Sequence, residues 1–169
     1  MLSGPDWLSA AVEEMNLGVR EIPGSGDSAR IVAYHGSTSL GPSPDSVPWC
    51  ASFACFCVEA AGLRSPRSAR ARDFLAWGAS IFPPPLGAVT ILRRSSGPGA
   101  AGADVVDAPG HVGFFLWQSP RDRTGYSEIF LLGGNQTDRV SVAIYPSDRV
   151  IGYRWPVARS VERSPVPPA

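Results

Sequence analysis

The chain contains no lysine: all fifteen of its basic side chains are arginine, set against fifteen acidic ones. That bias reads as the composition of a GC-rich genome rather than as function. The missing net charge says more. A chain of formal charge zero lacks the basic excess of a nucleic-acid binder and any bulk attraction to an anionic membrane. No apolar run approaches the roughly 18 residues a membrane helix needs. The opening Met1-Leu2-Ser3-Gly4-Pro5-Asp6 has neither a basic start nor an apolar core, so no secretory signal is expected. Internal repeats are absent. Cysteine and histidine are scarce, at three and two residues.

What is present suits one globular domain. Of 169 residues 44% are hydrophobic, enough for a real core. The 18 glycines and 17 prolines punctuate periodic segments rather than form a low-complexity tract. Trp7, Leu8, Ala11, Val12 and Met15 recur at helical spacing, with Asp6 placed to cap and Gly18 to stop. A Gly-rich turn precedes a short helical segment over 28–35, and 36–47 reads as loop. Pro48 suits the first turn of a helix ending at Gly62, since its missing N–H costs nothing there. A fourth helix is expected over 68–77. The period then changes to that of strands, over 87–92, 111–117, 128–132, 139–145 and 150–155. In 139–145, Val140, Val142 and Ile144 alternate with Arg139, Ser141 and Ala143. Helices first and strands afterwards predict an α+β domain over 1–158, with N-terminal helices on an antiparallel sheet of about five strands. The Pro-rich tail, 159–169, is expected to be unstructured, and 94–109 is long for a loop in a compact domain.

Cys50, Cys55 and Cys57 lie within eight residues, an odd and clustered set that makes a poor disulfide framework. On one helix Cys50 and Cys57 stand about 10 Å apart, beyond the roughly 7 Å reach of a bridge. A zinc site is unfavourable too, because one helix cannot close a tetrahedron. Cys55 and Cys57, among Phe53, Phe56 and Val58, read as core. Cys50 differs, because as third residue of its helix it would meet the positive end of the dipole and unpaired N–H groups, which favour thiolate. The alternative, a thiol packed under the sheet, stays open. His111 opens a strand directly after Pro109-Gly110, a rigid place for an imidazole base, whereas His35 is expected in solvent. A base needs a third group to fix its tautomer. Asn135, after the next strand, is the candidate, although Asn after two glycines also suits a turn.

Pro48-Trp49-Cys50-Ala51-Ser52-Phe53, Ala71-Arg72-Asp73-Phe74-Leu75-Ala76-Trp77-Gly78, Gly110-His111-Val112-Gly113-Phe114, Leu132-Gly133-Gly134-Asn135-Gln136 and Gly152-Tyr153-Arg154-Trp155-Pro156 occur in that order. Together with Glu21-Ile22-Pro23-Gly24-Ser25-Gly26-Asp27 and Arg30-Ile31-Val32-Ala33-Tyr34-His35, they resemble the phage-type cell-wall peptidases among the NlpC-type and CHAP-like papain-fold cysteine hydrolases. The resemblance runs from about Trp7 to Pro156. It implies a papain-like fold and hydrolysis of an amide bond in peptidoglycan, with Cys50 as nucleophile, His111 as base and acid, and Asn135 as orienting group. Asp45, Trp49 and Gln136 become candidates for lining the substrate site, and Arg72 or Arg154 for reading substrate charge if not structural. No metal or cofactor is required. The 94–109 loop is longer than in such relatives and is expected to be a surface insertion rather than a gate.

The implied partner is the stem peptide, acted on by a monomer made in the bacterial cytoplasm and released or delivered to the wall. Use as a phage or prophage lysin and use as a secreted antibacterial effector, held in check by a small immunity or carrier protein, both fit. A catalytically idle papain-fold module, for example in a phage tail, is the competing class.

Overall fold

The computed structural model describes residues 4–96 and 99–157; the expected tail, 159–169, lies outside them. The chain is α+β. Three α-helices, α1 (Asp6–Asn16), α2 (Ala29–Gly36) and α3 (Cys50–Ala60), and a 3₁₀ turn (Ala71–Ala76) come first. Strands β1 (Ala79–Ser80), β2 (Val89–Arg93), β3 (Gly110–Gln118), β4 (Glu128–Gly133), β5 (Ser141–Pro146) and β6 (Val150–Trp155) follow, with a second 3₁₀ turn (Ser147–Arg149) before β6. They form one antiparallel open sheet in the order β1-β6-β2-β3-β4-β5. No helix among the described residues is long and apolar enough to cross a membrane.

Six strands replace the five expected, because β1 is only two residues long and carries no periodic signal. The segment expected as a fourth α-helix forms only the short 3₁₀ turn. Its first residues are diverted: the Ser68 hydroxyl accepts from the Arg70 backbone and donates to Asp73, a local alternative to helical pairing. Pro48 stays outside α3. Trp49 is wholly buried and its indole N–H donates to Glu21 at 2.8 Å, so the chain enters the helix only after it. At the other end Gly62 takes a left-handed φ of 75°, and Leu63 N–H returns to Val58 C=O, closing the helix as a glycine stop does.

The main core lies between the helices and one sheet face, with Ile31, Phe53, Val58, Phe74, Val89, Ile91, Val112 and Phe114 at its centre. Leu92, Phe115, Ile129 and Leu131 form a smaller cluster on the opposite face. β2 feeds both, so its burial runs unbroken from Val89 to Leu92 rather than alternating. α1 and α2 are joined by Glu14, a buried carboxylate that accepts from Arg30 Nε (2.7 Å) and from the Tyr34 hydroxyl (2.5 Å). Trp7 and Trp77 are buried with their indole N–H groups on the Gly87 and Arg64 carbonyls, so neither leaves an unmet donor in the core.

Candidate active site

Cys50 is the first residue of α3, not the third, and its helix starts without a side-chain cap. Phe53 is the first residue whose N–H reaches back to the helix, on Trp49 C=O. The earlier N–H groups have no intrahelical acceptor and remain as donors beside the sulfur. Cys50 retains 9% of its surface, whereas Cys55 and Cys57 retain none. All three are free thiols. The N–H groups of Val112, Ala51 and Cys50 itself, with Arg94, pull the Cys50 thiol downwards, but burial outweighs them and holds it above its usual range. Burial therefore outweighs the expected bias towards thiolate.

His111 sits near the start of β3, opposite Leu92 of β2. Together with Pro48, Cys50, Arg94, Gly110, Asn135, Asp138, Tyr145 and Arg149 it lines one pocket of about 340 Å³. Burial and the two guanidinium groups push its pKa down to about 4, against the upward pull of Gln136. Burial thus favours the neutral form of both the thiol and the imidazole.

Gln136, and not Asn135, holds that imidazole. Asn135 lines the pocket, and its backbone is left-handed (φ 55°), like that of Thr137 and Asp138 after it. This turn sends the Gln136 side chain inwards, where it is 4% exposed. The Gln136 amide nitrogen donates to the Leu131 and Ser141 carbonyls. Its oxygen must therefore face the other way, where it accepts from Tyr145 Oη (3.0 Å) and lies 3.1 Å from His111 Nε2. An oxygen can only accept, so Nε2 carries the proton and Nδ1 is left as the lone-pair nitrogen. Gly134 permits the approach: a Cβ there would lie 2.6 Å from atoms of both Phe53 and Trp49. Its bare backbone seats the β4–β5 turn on the first turn of α3.

Four other candidates are placed elsewhere. The Asp45 carboxylate accepts from the backbone N–H groups of Ile22 (2.9 Å) and Ser28 (2.8 Å), which hold it below the usual carboxylate range. It ties the 22–28 turn to the segment before α3 and does not line the pocket. Trp49 is core. Arg72 is buried and structural, donating to Ala101, Gly102 and Val105 carbonyls. Arg154 is likewise absent from the pocket wall. His35, expected in solvent, is fully buried with Nδ1 2.9 Å from Ser52 Oγ of α3.

Tyr145, Arg94, Arg149 and Asp138 went unpredicted. The alternation of 139–145 already put Tyr145 on the face opposite Val140, Val142 and Ile144, which was the available signal; the other three lie on turns that give none. Among the described residues no three His, Cys, Asp or Glu side chains gather as metal ligands. Compared with protein-family models, curated proteins and solved structures, the chain matches none.

Proposed function

We propose that the protein is a cysteine hydrolase of papain-like design that cleaves an amide bond of the peptidoglycan stem peptide. One observation carries the chemistry: a helix-start cysteine and a histidine with its Nδ1 left unprotonated line the same pocket. The substrate class rests on the order of motifs that resembles the phage-type cell-wall peptidases.

In this reading the Cys50 thiol gives its proton to His111 Nδ1 as sulfur attacks the scissile carbonyl. The open N–H groups at the start of α3 receive the oxyanion. His111 then hands the proton to the leaving amine as the tetrahedral intermediate collapses to a thioester. It next takes a proton from water, which attacks the thioester, releases the carboxylic acid and restores the thiol. Gln136 keeps the imidazole in the required tautomer throughout. The protein reaches its substrate in the wall after lysis or delivery, as a lysin or an antibacterial effector.

An idle binding module is the second reading, favoured by the near-complete burial of Cys50 and its raised thiol pKa. Digestion of purified sacculi by the wild type and by Cys50→Ala, with products read by mass spectrometry, decides between them. New peptide ends from the wild type alone are expected and name the bond. No products from either folded protein would overturn the hydrolase in favour of the module.

A further inference from the structure

The pocket that holds Cys50 and His111 carries an excess of positive charge that the hydrolytic chemistry does not use. Arg94 follows β2 directly, and Arg149 closes the 3₁₀ turn before β6; both line the wall. Arg149 is held in place, with Nε donating to Arg93 C=O at 3.0 Å and its guanidinium 5.0 Å from the Tyr145 ring centre. Among the described residues its terminal nitrogens have no hydrogen-bond partner, and neither Arg149 nor Arg94 makes a salt bridge. Asp138 is the single acidic residue on the wall. Both cations make it harder to charge His111, an electrostatic handicap for a base that a bound anion would relieve.

We propose that Arg94 and Arg149 form a carboxylate-binding subsite, so that the amide cleaved at Cys50 lies beside a free carboxylate of the substrate. This rests on the hydrolase reading of the same pocket and narrows its substrate to acidic peptides. Two guanidiniums against one carboxylate leave one positive charge, which matches a carboxylate better than a phosphate dianion. The planar forks of arginine also suit a carboxylate's paired oxygens.

The test uses two synthetic stem peptides that differ only at the γ-linked D-glutamate, whose α-carboxyl is free in one and amidated in the other. Hydrogen bonds between charged groups support a preference of about 10- to 100-fold in kcat/KM for the free acid. Arg94→Gln and Arg149→Gln should each shrink that ratio and the double variant should bring it near one. Arg149→Lys, which keeps charge without the fork, should fall between. A wild-type ratio near one, or a ratio that survives the double variant, overturns the subsite. If the wild type cuts neither peptide, the hydrolase reading fails by itself. Calorimetry of both peptides on Cys50→Ala, with and without the two glutamine substitutions, then decides the subsite alone: an arginine-dependent preference for the acid upholds it, and equal binding overturns it.

Discussion

A glutamine that commits its amide hydrogens to two main-chain carbonyls has only an oxygen left for a neighbouring imidazole, and Gln136 is held in that way. Gln136→Ala should lower kcat by about 100-fold, the range for losing control of a general base. It should also cost about 1–3 kcal/mol of stability, because the Leu131 and Ser141 carbonyls lose their donor. Asn135→Gly, which keeps the left-handed turn, should cost far less kcat. Steady-state kinetics beside thermal melts separate the two, and equal losses would return the orienting role to Asn135. That Cys50 lies in the first turn of a helix and His111 near the start of a strand was legible in the sequence, because prolines and turn residues mark such starts. The choice between Asn135 and Gln136 was not, since it depends on the left-handed backbone at Asn135, Thr137 and Asp138 that carries the Gln136 side chain inwards. His35 misled for a related reason. Its burial comes from α2 lying on α3, a tertiary contact without a local signature.

At the scale of elements, the 101–107 part of the β2–β3 connection is pinned rather than loose. Arg72, 2% exposed, reaches three of its carbonyls from the first 3₁₀ turn, and Arg70 reaches Val106 C=O and Asp107. Arg72→Ala should destabilise the protein by about 1–3 kcal/mol and admit protease within 99–107. Arg72→Lys should rescue little, because a point ammonium cannot serve three carbonyls at once. Limited proteolysis followed by mass spectrometry, with a denaturant melt, checks both; a wild-type cleavage pattern in Arg72→Ala would refute the anchor. Strand positions were readable from their alternation and β-branched residues. The start of α3 was misread by two residues because a proline's tolerance for a first turn says nothing about the tryptophan after it.

For the whole molecule, acid is the revealing variable. His111 and His35 are both held neutral by burial, with pKa values below that of a free imidazole. The unfolded chain binds their protons first, so stability is complete above about pH 6.5 and falls as pH drops towards 4. Glu14 and Asp45, lowered by their hydrogen bonds, add a further loss below the carboxylate range. Melting temperature against pH should show this decline, and His111→Gln should flatten its upper part. Catalysis should persist to lower pH, with the acid limb of kcat/KM lying nearer pH 4 than 6.5, since the free base stays unprotonated.

The strand order has a consequence for the protein's birth. β6, the last of the described strands along the chain, sits between β1 and β2. Until residue 155 clears the ribosome, β2 lacks one of its two neighbours. The helices can gather early, but the sheet is joined across β1 and β2 only when β6 slots into the gap between them. A chain released short of that strand carries Cys50, His111 and Gln136 while β1 and β2 are still unjoined.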